Sequence, residues 1–236
     1  MPFPDDSDPS SGADTIEETV RAGDPDRWLG SRLIADPAAR ADVVTLLAYD
    51  LELARAPRRA SNPLIGEIRL TWWREALDEV FGGAVVRRHP TAQALAELVG
   101  RRGLAREAFE GLIDARYVEL DKRPLTSAEA VIWADGTAGE VARLTALILD
   151  PAADGAAAAA AGRAWGLSRA VRIDLVTGAA ARPLIATALA EHRRARPLPV
   201  AAFPAAAVGA LARGGGEMTD VEKRLRLLWA AIRGRA

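Results

Sequence analysis

Carboxylates and guanidiniums are the only chemistry-bearing groups this chain holds in number. Its 236 residues include 32 Asp and Glu, 31 Lys and Arg, two histidines and no cysteine. A chain without cysteine forms no disulfide framework, thiolate zinc site or cysteine nucleophile. His89 precedes Pro90 in a predicted loop and His192 lies in an arginine-rich segment, too few for a His-based metal centre or a Ser–His–Asp triad. What remains is carboxylate chemistry, in which acids at i and i+4 share a helix face and hold Mg²⁺. Glu75/Glu79 and Glu110/Asp114 have that spacing. The first pair joins Asp78 on what reads as a solvated face. The second is followed by Asp121, seven residues beyond Asp114 and on one face with Tyr117, yet it has no opposing acidic helix. Arg55, Arg58 and Arg59 cluster near a helix end and are phosphate-binding candidates, because guanidinium grips phosphate in bidentate fashion. The helix dipole alone also favours cations at that end.

The elements that must position these groups are helices. There are 51 alanines against 5% aromatics, a composition that favours helix over strand. Capping residues before proline mark starts at Asp24-Pro25, Asp36-Pro37, Asn62-Pro63 and Asp150-Pro151. Thr126/Glu129 and Thr219/Glu222 read as capping boxes. Helices are expected over about 25–34, 37–56, 63–81, 90–100, 104–121, 126–149, 151–177, 182–192, 200–212 and 219–233. Residues 1–23 are acidic and Ser/Pro/Gly-bearing, with no signal or transit pattern, and are expected to form a disordered tail. A single helical domain is expected over 24–236. No apolar run reaches membrane-spanning length, and a formal charge of −1 argues against binding nucleic acid by bulk electrostatics.

Helical phase turns some charges inward. Asp50 lies on a stripe with Leu46, Leu47, Leu53 and Ala54; Arg69 lies among Ile65, Trp72, Trp73 and Ala76. Each is costly there without a partner, so the two are expected to pair. Asp135 sits among Val131, Ile132, Ala138 and Gly139, giving three inward charges on three helices and the expectation of a polar cleft.

The segments LLAYDLELARA (46–56), SNPLIGEIRLTWWREAL (61–77), LIDARYVEL (112–120), WADGTAGEVARL (133–144), AGRAWGLSRAVR (161–172) and LLWAAIRGR (227–235) together resemble the squalene/phytoene synthase family. The resemblance covers most of residues 25–235. It implies an all-α fold, a single-domain helical bundle of the isoprenoid synthase type around a central cavity. Catalytic members join two prenyl diphosphates head to head, using two facing aspartate-rich motifs that hold Mg²⁺.

This sequence departs from both motifs. Ala54 and Arg58 stand at the carboxylate positions of the first, and the second retains only Asp174, with Gly178 four residues on. Trp133 stands where catalytic relatives commonly carry tyrosine. The Arg-Gly-Arg-x-x-x-Pro-like segment is reduced to Arg182 in AARPLIATALAEH, which suggests a bundle trimmed at its C-terminus. The resemblance is strongest to the degenerate branch that includes a mitochondrial complex I assembly factor.

The expected function is therefore a non-catalytic binding or respiratory-complex assembly role, with no catalytic residue, metal or cofactor assigned. The alternatives are head-to-head prenyl transfer, which would require Mg²⁺, and a prenyl-lipid carrier. Cavity-lining candidates are Tyr49, Asp50, Arg69, Trp73, Asp114, Tyr117, Trp133, Asp135, Gly136, Gly139 and Arg172. The expected partner is a respiratory-complex subunit or a prenyl lipid, with a peripheral membrane contact. The expected location is cytoplasmic, peripheral to the inner membrane.

Overall fold

The structure, a computed structural model, describes residues 12–212 and 218–234. Among the described residues twelve α-helices carry the fold: α1 (Gly12–Gly23), α2 (Pro25–Ser31), α3 (Pro37–Arg58), α4 (Pro63–Gly82), α5 (Pro90–Arg102), α6 (Arg106–Asp114), α7 (Ser127–Ala134), α8 (Glu140–Leu149), α9 (Gly155–Arg172), α10 (Gly178–Arg194), α11 (Pro204–Ala207) and α12 (Asp220–Arg233). Short 3₁₀ turns cover Tyr117–Asp121 and Val208–Leu211, and a π turn over Asp135–Gly139 joins α7 to α8.

Capping chemistry sets most boundaries. Asp24, Asp36 and Asn62 each accept a backbone N–H of the first turn ahead of an N-terminal proline. Thr126 and Glu129 form the reciprocal capping box, and Thr219 accepts the Glu222 N–H. Three expectations are corrected. Residues 12–23 form a helix that buries Ile16 and Val20, so the expected disordered tail does not extend over them; residues 1–11 lie outside the described residues. The helix expected from Pro151 begins at Gly155, because Asp150 closes a turn onto Ala152 and Asp154 caps α9 instead. The helix expected over 104–121 stops at Asp114 and resumes as a 3₁₀ turn, which alters the phase of everything after Ala115.

Apolar side chains gather in two main clusters. One joins α1, α3, α4, α5, α6 and α8 around Tyr49, Trp73 and Phe109; the other joins α7, α9, α10, α11 and α12 around Trp165. Small residues bring α9 against the π turn. A Cβ on Gly162 would lie 2.2 Å from the Ala138 carbonyl oxygen, and one on Gly166 would lie 2.9 Å from Ala138 Cβ. Gly139 is similarly tight, with Ala134 and Ala159 carbonyls at 3.2 and 3.4 Å from such a Cβ. The alanine-rich composition thus permits close backbone packing, and a chain of buried charges runs between the two clusters.

Candidate functional site

Asp50, on α3, is the centre of that chain and is 1% exposed. Its Oδ2 accepts from Arg27 Nη2 of α2 at 2.5 Å, and its Oδ1 accepts from Arg116 Nη2, just past α6. Arg27 also donates through Nε to Asp24 Oδ2 at 2.6 Å, so one guanidinium bridges two carboxylates. Arg116 donates through Nη1 to Glu119 Oε1 at 2.9 Å. The same Glu119 oxygen accepts from Trp133 Nε1 at 2.8 Å, and its other oxygen is 3.4 Å from Arg58 Nε. All but Arg58 are buried. Burial alone would raise the Asp50 pKa; the Arg116 and Arg27 guanidiniums overcome it and hold the carboxyl well below the usual carboxylate range. Burial likewise opposes the charge on Arg27, and Asp24 with Asp50 reverses that, keeping Arg27 firmly cationic.

Trp165 of α9 forms one wall beside the network. Arg27, Arg169 and Arg172 approach its ring with guanidinium carbons 4.9, 5.4 and 6.0 Å from the centroid. Arg169 is half-buried; burial pushes its pKa down, and Arg27 and Arg58 add to that against the pull of Asp24 and Asp50. A parallel network ties the two ends of the fold. Asp26 accepts from Trp165 Nε1 at 3.3 Å and Arg172 Nη2 at 3.0 Å, and its other oxygen lies 2.8 Å from Lys223 Nζ of α12.

Two cavities lie beside this network. A cavity of about 10 Å³ is lined by Asp50, Arg27, Arg116, Arg169, Trp133 and Trp165 among others. A second, of about 30 Å³, is lined mostly by apolar groups, among them Ile34, Val43, Leu47, Val141 and Val208. One water needs roughly 10–15 Å³, whereas pockets for drug-sized ligands run to about 300–1,000 Å³. As they stand, these two cavities have room for a few waters and neither has room for a prenyl chain.

Of the residues picked from the sequence, the structure brings Asp50 and Trp133 together at the charged cavity. Asp50 does not pair with Arg69, which is half-exposed on α4. The reason is that α2 and the turn after α6 deliver Arg27 and Arg116 to Asp50 first. Tyr49 and Trp73 are core residues: their rings meet edge to face at 5.3 Å, and Tyr49 Oη donates to the Phe109 carbonyl at 3.0 Å. Asp114 is exposed and pairs with Arg74, whose guanidinium also lies 5.8 Å from the half-buried Tyr117 ring. Asp135 pairs with Arg163 at the edge of the π turn. Gly136 and Gly139 serve close packing there, and Arg172 is drawn to Asp26 rather than to the cavity. The phosphate-binding candidates do not converge: Arg55 pairs with Glu52, Arg58 with Glu119, and Arg59 is exposed at the C-cap of α3.

The donor set does not suit Mg²⁺. Ala54 lines the cavity where the first motif would need a carboxylate, and Arg58 points its charge at Glu119. Asp174 sits in an exposed turn just past α9, with a left-handed φ of 57°, off the helix face a second motif would use. The acids of the i,i+4 pairs are answered by arginines: Glu75 and Glu79 by Arg87, Glu110 by Arg106, Asp114 by Arg74. Among the described residues no three His, Cys, Asp or Glu side chains are grouped to hold a metal.

Sequence reasoning missed Asp24, Arg27, Arg116, Glu119, Trp165 and Arg169. Arg116 and Glu119 were hidden by the unread break after α6. Asp24 was visible as a cap, and its reach to Arg27 follows from i,i+3 spacing.

Comparisons with known proteins agree with this architecture. A solved dehydrosqualene synthase superposes with a TM-score of 0.74 at 12% identity, over 94% of this chain and 95% of that one. The squalene synthase HpnC from Alicyclobacillus acidocaldarius gives 0.60 at 16%, over 94% and 90%. The fold is thus the all-α isoprenoid synthase bundle. Curated relatives carry the name NADH dehydrogenase (ubiquinone) complex I, assembly factor 6: the rat protein is 30% identical over 133 residues, 56% of this chain and 39% of that protein. The human one is 29% identical over 134 residues, covering 56% and 39%, and a Dictyostelium discoideum homologue is 25% identical over 101 residues, covering 43% and 28%. The matches therefore span well under half the length of those relatives. No helix among the described residues is long and apolar enough to cross a membrane. The squalene/phytoene synthase pattern matches residues 20–182, more than half of the sequence, and the chain belongs to that family.

Proposed function

We propose that this chain is a non-catalytic member of its family, serving the assembly of a respiratory complex through protein contacts rather than prenyl transfer. One observation carries the reading. The carboxylate that faces the cavity, Asp50, is locked between Arg27 and Arg116, and Arg58 replaces a motif acid. A diphosphate leaving group needs cations held by free carboxylates; here the carboxylates are consumed by internal cations. The names of the curated relatives support the assembly role, and a peripheral place at the inner membrane is part of the same reading.

The test has two arms. Purified protein is incubated with farnesyl or geranylgeranyl diphosphate and Mg²⁺, and the products are extracted and identified; no head-to-head product is expected. In the source organism the gene is deleted and complex I is quantified by native electrophoresis; loss of assembled complex is expected. Mg²⁺-dependent turnover overturns the non-catalytic reading. Normal complex I in the deletion strain overturns the assembly role. Co-purification of a stoichiometric prenyl lipid without turnover assigns the chain to lipid carriage instead.

A further inference from the structure

The C-terminal helix α12 wears its apolar side outward. Leu227 and Ala230 are buried, against the turn Val208–Leu211 and its neighbours, and Lys223 on that side reaches Asp26. Val221, Leu225, Leu228, Trp229 and Ile232 are each 54–68% exposed. At 100° per residue these five fall within about 100° of arc and extend about 16 Å along the axis. Surface apolar residues scattered singly need no explanation, but five on one stripe form a patch of the kind that marks an interaction site.

The charges beside the stripe say what it fits. Arg224 borders it on one side, and Arg233 borders it on the other, with its guanidinium 4.4 Å over the Trp229 ring. Glu222 is the one acid on that border, and it lies at the N-terminal turn, away from the Leu228–Trp229–Ile232 end. An apolar stripe with tryptophan at its edge and arginines on both flanks is the pattern of a helix lying in a membrane interface. The arginine stems run along the apolar surface while their heads reach lipid phosphates.

We propose that α12 docks the protein on an anionic lipid surface through Val221, Leu225, Leu228, Trp229 and Ile232, with Arg224 and Arg233 engaging the headgroup phosphates. The surface lies outside the Asp50 network; the inference deepens the peripheral membrane place in the proposed function, and its vesicle-binding test is read independently of complex I assembly.

Cosedimentation of the whole chain with phosphatidylcholine vesicles, with and without one-third phosphatidylglycerol, tests it. Binding to the anionic vesicles roughly tenfold or more tighter than to the neutral ones is expected. A blue shift of tryptophan emission on binding, absent from Trp229→Phe, is expected as well, since Trp229 is the exposed tryptophan. Leu225→Glu/Ile232→Glu should lose binding to both vesicle types, and Arg224→Glu/Arg233→Glu should lose the anionic preference. These positions are exposed, so unchanged helical circular dichroism separates lost docking from lost folding. Absence of binding to either vesicle overturns the proposal, as does binding that both double variants retain. A dimer in sedimentation that Leu225→Glu/Ile232→Glu dissolves, without vesicle binding by the parent, assigns the stripe to a second copy and also overturns it.

Discussion

Replacing Asp50 with alanine is the sharpest probe of the buried network. In the native protein Asp24, Asp50 and Glu119 face Arg27 and Arg116, with Arg58 reaching Glu119 from the rim. Three acids thus meet three ion-paired bases, with Arg169 a fourth cation at the cavity wall. Removing Asp50 leaves one excess positive charge in a site where both flanking guanidiniums are at most 8% exposed. Breaking a buried pair from one side costs about 3–5 kcal/mol, because the surviving charge keeps its desolvation penalty without its partner. For a chain of this length that corresponds to a drop of roughly 6–20 °C in Tm. Arg27 retains Asp24 and Arg116 retains Glu119, which places the expected loss towards the lower end. Denaturant titration followed by circular dichroism measures it. Asp50→Ala/Arg116→Ala restores the charge balance and should be less damaging than the sum of the single variants, by about 1–3 kcal/mol. Magnesium supplies an independent arm, since a ligand that binds only the folded state raises Tm. With Asp50 held by two guanidiniums, millimolar Mg²⁺ should leave melting unchanged. A loss below about 1 kcal/mol, additive single variants, or a Mg²⁺-induced rise abolished by Asp50→Ala would each refute the reasoning.

Two further outcomes follow from the same geometry. The Asp50 pKa is depressed in the folded state, so the stability it contributes is present above about pH 4 and is lost as pH falls towards the folded value. Unfolding free energy should therefore decline as the pH falls below about 4, and Asp50→Asn should flatten that decline; an identical slope in the variant would exclude the contribution. Gly162→Ala should destabilise by about 1–3 kcal/mol in thermal or chemical melts, because its Cβ meets the Ala138 carbonyl oxygen at 2.2 Å and Ala142 Cβ at 2.8 Å. A neutral result would show that α9 can back away from the π turn.

The fold was legible in the sequence because its signals are local. Caps at Asp24, Asp36, Asn62 and Thr126 act over three or four residues, and each one sets a helix start where it was read. The inward aim of Asp50 was legible for the same reason, since its neighbours at i±3 and i±4 are apolar and its α3 is unbroken. Its partners were not. Arg27 is 23 residues before it and Arg116 is 66 residues after it. No helical period relates such positions, and Arg69, the nearest inward-phased cation on the next helix, was the wrong choice. The π turn was equally opaque. The pattern over 126–149 reads as one helix, and it is the extra residue in that turn that ends α7 at Ala134 and starts α8 at Glu140.

The Asp50 network also explains why losing the motif acids need not have cost the fold. Carboxylates crowded around a cavity repel one another unless cations answer them, and in metal-dependent chemistry the cation is brought in with the substrate. Here guanidiniums supply the answer from within, permanently and without a ligand. Arg58 at a motif position contributes to that balance by facing Glu119, and Trp133 adds an indole N–H to the same carboxylate where a tyrosine would have offered a hydroxyl. Arg58 and Trp133 thus both serve to satisfy the buried Glu119 charge. On the outside of the bundle, away from this network, α12 presents the apolar stripe from Val221 to Ile232.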